Sequence, residues 1–100
     1  MAVVVNLTWE GVTPEQYDEA RDRVGWESDL AKGGIFHMAW FDGGALHACD
    51  VWEHAADFDT FVNERLIPVT KGEMNVAGEP TVQIHEAHRY LDAAHGEAGS

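Results

Sequence analysis

Hydrophobic and polar positions along this 100-residue chain fall into six blocks whose periods switch between those of strand and helix. Val3-Val4-Val5-Asn6-Leu7-Thr8-Trp9 is β-branched and apolar, with Gly11 just beyond it, which predicts a buried first strand. Thr13-Pro14-Glu15-Gln16 then carries the signature of a helix start: a side-chain acceptor, a proline where a missing N–H costs nothing, and a Gln placed to close a capping box. The helix that follows should bury Tyr17, Ala20, Val24 and the flanking Trp26, with Glu15, Asp18, Glu19 and Asp22 outward.

Gly33-Gly34 breaks the chain before a second strand, Ile35 to Phe41. Asp42-Gly43-Gly44 predicts a tight hairpin, because glycine supplies the positive φ such turns require, and Ala45 to Trp52 returns as the third strand. Glu53 to Asp57 leads into a second helix with Phe58, Phe61, Val62 and Leu66 on one stripe, bent or interrupted near its end by Pro68. Lys71 to Pro80 reads as loop with room for one short helical turn, and Thr81 to Leu91 as the last strand. Residues 1–91 therefore form one domain, and 92–100, without apolar periodicity, are expected to be a flexible C-terminal tail.

Strand, helix, hairpin, helix, strand is the βαββαβ order of the ferredoxin-like α+β fold, a four-stranded antiparallel sheet with two helices on one face. Apolar residues of both parities in the strands imply that the other face is covered as well, and a second copy of the chain is the expected cover.

Charge narrows the partners. Eighteen Asp and Glu against six Lys and Arg give a formal −12, and the six cations are scattered among acids, which argues against nucleic acid and against anionic membrane surfaces. The opening residues have no basic segment, and their apolar run is too short for a signal core or a membrane span, so a cytoplasmic protein is expected. One cysteine, Cys49, leaves no internal disulfide and no Cys-rich zinc site.

Three stretches carry a resemblance: Gly11-Val12-Thr13-Pro14-Glu15-Gln16-Tyr17, the strand end Cys49-Asp50-Val51-Trp52-Glu53, and Phe58-x-x-Phe61-x-x-x-Arg65-Leu66-x-Pro68. Over Ala2 to Leu91 the chain resembles the dimeric α/β barrel superfamily, and within it the antibiotic-biosynthesis-monooxygenase-like members and small actinobacterial relatives. The resemblance implies a homodimer whose two sheets pack face to face. Its members include cofactor-free quinone-forming monooxygenases, haem-degrading enzymes, polyketide cyclases and lactone isomerases, so the fold does not choose the reaction.

The histidines are the candidates for chemistry. If Gly43 and Gly44 form a two-residue loop, His37 falls opposite Asp50 on one sheet face, where a carboxylate would fix the imidazole tautomer and ready it as a general base. A three-residue loop would set His37 opposite Cys49 instead. The plainer alternative is a structural His–Asp hydrogen bond. His85 is kept as a second candidate base because cyclase-like relatives place a catalytic His on a late strand. His85 and His88, three apart on a strand, point to opposite faces and cannot grip a metal together, and no metal site is expected. His47 is assigned to packing, and His54 and His95 to solvent.

Asn6 interrupts an apolar strand and matches the first-strand Asn of the haem-degrading relatives. The second helix, however, has Phe58, Phe61, Asn63 and Arg65 where those relatives carry Trp and His, which disfavours haem. In the quinone-forming relatives Asn, Trp and Tyr hold a phenolic substrate, and Asn6, Tyr17, Trp40 and Trp52 offer the same chemistry, with Phe58 and Phe61 as apolar walls. No Rossmann, Walker, Ser–His–Asp or His-Glu-x-x-His pattern is present.

Two readings follow. The first is a cofactor-independent enzyme, monooxygenase-, cyclase- or isomerase-like, acting on a hydrophobic aromatic or polyketide-like small molecule with His37 as base, Asp50 orienting it and Asn6 holding a substrate oxygen. The second is a non-catalytic dimeric module that binds a ligand or stabilises an assembly; haem binding is a third. A cavity lined by His37, Asp50 and Asn6 would favour the first, and one filled by Trp40, Trp52, Phe58 and Phe61 the second.

Overall fold

The computed structural model of the chain describes residues 1–26, 28–92 and 96–99, the side chains as far as Leu91. Strands β1 (Val3–Glu10), β2 (Gly34–Asp42), β3 (Ala45–Trp52) and β4 (Thr81–Glu86) form an antiparallel sheet in the order β2-β3-β1-β4. With helices α1 (Pro14–Val24) and α2 (Ala55–Phe61), this is the ferredoxin-like α+β fold.

The start of α1 is built as its sequence predicts. The Thr13 hydroxyl accepts from the Gln16 amide at 3.1 Å, and the Gln16 side chain accepts from the Thr13 amide at 3.0 Å. Gly25, at φ 74°, ends the helix in the left-handed conformation. Glu15, Asp18, Glu19 and Asp22 are exposed as expected, yet no residue of α1 is fully buried. Its apolar stripe packs on the edge of the core, Val24 and Tyr17 against buried clusters, and also borders a pocket.

The hairpin register is set by its two glycines. Gly43 and Gly44 sit at φ 61° and 77°, the two positive values of a two-residue turn, and Asp42 pairs with Ala45. Counting back, Trp40 meets His47, Met38 meets Cys49 and His37 meets Asp50.

From Pro68 onward the chain differs from the expected interruption of the second helix and loop. Helical winding continues through Val62–Leu66 and Pro68–Glu73, both with the wider π-type turn. Pro68 has no amide to donate, and instead of ending the helix it begins the second of these segments. The remaining loop is pinned to β1: Trp9 Nε1 donates to the Ala77 carbonyl at 3.0 Å, and Lys71 Nζ donates to the Val76 carbonyl at 2.8 Å and to that of Gly78 while lying over the Trp9 ring.

The single last strand expected over Thr81–Leu91 is two. It breaks at Ala87 and His88, where the buried Ala87 donates its amide to the Ala2 carbonyl at 2.9 Å. A new strand, β5 (Arg89–Asp92), then pairs antiparallel with β6 (Gly96–Gly99) as a separate two-stranded sheet, so part of the tail has regular backbone structure that its side-chain pattern does not announce. His95 lies outside the described residues.

Two apolar clusters fill the space between sheet and helices. One joins Val3, Val5 and Trp52 to Phe58 and Phe61; the other joins Trp9, Val12, Leu46 and Val76. The opposite sheet face is apolar only in part. Phe36, Met38 and Trp40 stand exposed on β2, whereas the β1–β4 half presents Asn6, Thr8, Gln83 and His85. No helix among the described residues is long and apolar enough to cross a membrane.

Candidate active site

Strand alternation decides which side chains meet. One row across the sheet runs His37, Asp50, Val5, Ile84, and the next runs Met38, Cys49, Asn6, Gln83. Adjacent rows point to opposite faces. His37 and Asp50 therefore face the helices with the buried Val5, and Asn6 faces away from them.

His37 is held at both nitrogens. Nδ1 lies 2.6 Å from Asp50 Oδ1, and Nε2 lies 2.7 Å from the Tyr17 hydroxyl on α1. Asp50 is buried, and its second oxygen accepts from Trp52 Nε1 at 3.2 Å. A carboxylate can only accept, so Nδ1 carries a proton; in the neutral imidazole Nε2 is then the acceptor and Tyr17 donates to it. The result is one directed chain, Tyr17 to His37 to Asp50, braced from below by Trp52.

Aromatic rings fix the imidazole from the sides. Trp26, just past the end of α1, lies 4.4 Å from the His37 ring centre and in turn packs edge-on against Phe61. Arg65 ties down the chain on both sides of Trp26: its guanidinium donates to the carbonyls of Val24 and Asp29 at 3.0 and 2.7 Å, over the face of Phe61.

This cluster borders two spaces. An apolar pocket of about 80 Å³ lies between the sheet and the helices, with Leu7, Trp9, Val24, Phe58, Phe61 and Leu66 among its walls. An open cleft of about 590 Å³ runs along the β2 edge between α1 and the segment that follows it, bordered by Trp26, Leu30, Ile35 and Phe41. Tyr17, Arg21, Trp26 and His37 border both.

Of the residues singled out from sequence, Tyr17, His37, Asp50, Trp52, Phe58 and Phe61 converge. Trp52 and the two phenylalanines are packed in the core, with Trp52 also bonded to Asp50. Asn6, Trp40 and His85 are on the opposite sheet face and are not part of the cluster: their strand positions are one step out of phase with His37, Asp50 and Val5. The expectation that Asn6 joins His37 and Asp50 is thus corrected by strand parity. Trp40 stacks on His47, which also lies 3.4 Å from the Thr8 hydroxyl, in keeping with a packing role for His47.

Sequence reasoning missed the bond from Tyr17 to His37 and the part of Trp26. A helix-stripe pattern marks both as inward-facing but cannot say that one hydroxyl ends on a particular imidazole nitrogen.

Both ring nitrogens of His37, the histidine that lines the cavity, are hydrogen-bonded, so an axial iron bond at Nε2 would have to replace the contact with Tyr17. Among the described residues no group of three or more His, Cys, Asp or Glu side chains is placed to hold a metal ion.

No protein-family model matches the chain, and no curated protein matches it. Solved structures do. SnoaB, a cofactor-independent oxygenase from Streptomyces nogalater, superposes with a TM-score of 0.62 at 11% identity, over 86% of this chain and 91% of that one. The haem-degrader MhuD from Mycobacterium tuberculosis, with two haems bound in its active site, gives 0.57 at 19% identity over 93% and 99% of the two chains. A protein from Deinococcus radiodurans described as an antibiotic biosynthesis monooxygenase gives 0.55 at 12% identity over 92% and 97%. At such identities the likeness is one of fold, and it is the fold of the superfamily that the sequence resembles.

Proposed function

We propose that this chain, which shares the ferredoxin-like fold of the antibiotic-biosynthesis-monooxygenase-like proteins, is a cytoplasmic homodimeric enzyme that moves a proton on an aromatic or polyketide-like small molecule without a tightly bound cofactor. The observation that carries this reading is the chain of hydrogen bonds from Tyr17 through His37 to Asp50 at the wall of an apolar cavity. A buried carboxylate fixes the imidazole tautomer, so Nε2, held by the Tyr17 hydroxyl, is the nitrogen that takes up a proton, and the imidazolium formed has its counter-charge in place.

Cyclisation, isomerisation and oxygen-dependent oxidation of an acidic phenol all begin with removal of a proton. The site supplies that step. In the last case dioxygen is the co-reactant and the electron-rich anion of the substrate does the rest. SnoaB, described as a cofactor-independent oxygenase, supports the cofactor-free form of the reading.

The test is turnover of a panel of hydroxylated polyketide intermediates, followed by product analysis and by oxygen uptake. Turnover is expected to fall by about 10²–10⁴-fold in His37→Ala, the usual contribution of a positioned acid–base group. Unchanged turnover in that variant sinks the proposed base.

A non-catalytic ligand-binding module is the second reading, favoured by the packing of Trp52, Phe58 and Phe61 that leaves the apolar pocket small. Binding without turnover by both wild type and His37→Ala would select it.

A further inference from the structure

We infer that Arg65 is a positioning residue of this site: by tying down the chain on both sides of Trp26 it holds the indole against the His37 imidazole, where the ring supports the imidazolium formed on proton uptake. The inference rests on the proton-transfer reading above and deepens it by adding a residue that lines neither the pocket nor the cleft.

The end of α1 creates the need for such a tie. The last carbonyls of a helix have no partner within it, and a cationic donor suits them because the helix dipole is negative there. Gly25 turns the chain into the left-handed conformation and donates its amide to the Arg21 carbonyl at 3.1 Å, while the Val24 carbonyl takes its donor from another element. Arg65, on the π-wound segment Val62–Leu66, is that donor. Its Nη2 donates to the Val24 carbonyl at 3.0 Å and to the Asp29 carbonyl at 2.7 Å. A single nitrogen with its two hydrogens thus bridges positions 24 and 29, and Trp26 lies between them.

The bridge closes on a row of aromatic rings. The guanidinium is 5.5 Å from the centre of the Phe61 ring, Phe61 meets Trp26 edge-on at 4.9 Å, and Trp26 meets the His37 ring at 4.4 Å. Phe61 and Arg65 follow one another by a turn on one helical winding, so the same stretch of chain presents both the ring that Trp26 leans on and the tie that keeps it there.

The consequence for the site is electrostatic. An aromatic ring within about 6 Å of a cation attracts it, so the Trp26 indole adds cation–π attraction to His37 once the imidazole has taken up a proton. Arg65 moves no proton itself and acts through Trp26.

The test is a cycle of Arg65→Met, Trp26→Leu and the double variant, with two readouts. Met keeps an apolar stem over Phe61 and removes the donors. The first readout is the ¹H–¹³C spectrum of the His37 ring, whose protons lie in the ring current of the indole. Arg65→Met should move these signals in the direction that Trp26→Leu moves them, and Arg65→Lys, which again offers several hydrogens from one nitrogen, should leave them near the wild-type position. The second readout is turnover of the hydroxylated polyketide panel. In each single variant kcat is expected to fall about tenfold, the size of one cation–π contact, with KM little changed. The double variant should fall no further, because the two residues act as one unit. Where Arg65→Met does not fold, Arg65→Gln, too short to bridge the two carbonyls, takes its place. His37 signals unmoved by the loss of Arg65, or losses that multiply in the double variant, overturn the inference and leave the proton-transfer reading standing. No turnover by wild type overturns that reading and the inference with it.

Discussion

At the scale of single residues, Asp50 does more for this site than its burial suggests. It accepts twice, from His37 Nδ1 and from Trp52 Nε1, so both oxygens face a donor. An amide of the same shape cannot do that. In Asp50→Asn the NH₂ group must confront either the indole N–H or the imidazole N–H, and turning it toward His37 would reverse the tautomer and the direction of the Tyr17 bond. The expected cost is on the order of 1–3 kcal/mol, the range for a buried donor left without an acceptor. Urea unfolding of the two proteins side by side measures it, and equal stabilities would show that Asp50 does not bind both donors. The pairing of His37 with Asp50 follows from sequence once the turn length is granted, because a strand register is arithmetic. The Tyr17 bond was not legible, because it joins a helix to a strand across the layer and depends on the distance between them.

Elements show where the sequence speaks plainly and where it is silent. Thr13, Pro14 and Gln16 announce the start of α1 because capping is local chemistry, and Gly43-Gly44 announce the hairpin for the same reason. The π-wound continuation through Glu73 and the β5–β6 pair went unannounced. Both depend on partners elsewhere, Lys71 and Trp9 holding the first loop and backbone pairing making the second. Gly33 shows how one position serves two elements. It lies at φ 81°, its carbonyl accepts from Glu53 at 2.7 Å, and a Cβ there would run into the carboxylate of Asp57 on α2. At Gly44 the φ is also positive, yet a Cβ would meet nothing. Ala at Gly44 should therefore cost only backbone strain, about 1–2 kcal/mol, whereas Gly33→Ala adds a steric conflict and should cost more. Thermal unfolding of both variants checks the order, and a Gly33→Ala protein as stable as Gly44→Ala would contradict it.

For the whole molecule, the sheet has one face that the helices cover except at β4, where Val82 and Ile84 are exposed, and one divided face. The sequence suggested an apolar outer face throughout, but its apolar part is Phe36, Met38 and Trp40 with their β3 neighbours and Val4 of β1, while Asn6, Gln83 and His85 make the other half mostly polar. Three large side chains in a row, each about half exposed, are what a second copy would cover in the proposed dimer. Sedimentation velocity should give a dimer for wild type and a monomer for Trp40→Asp; a wild-type monomer at all concentrations would rule the dimer out. The site is on the other side of the sheet from that seam, so loss of the dimer should leave the hydrogen bonds of His37 intact.

Those hydrogen bonds are the centre of the account, and the ring nitrogens of His37 report them directly. A long-range ¹H–¹⁵N correlation spectrum of the labelled protein should show a neutral imidazole protonated at Nδ1 with Nε2 as acceptor, and the Nε2 signal should move when Tyr17 is changed to Phe. An Nε2-protonated ring, or an Nε2 signal indifferent to Tyr17→Phe, would contradict it.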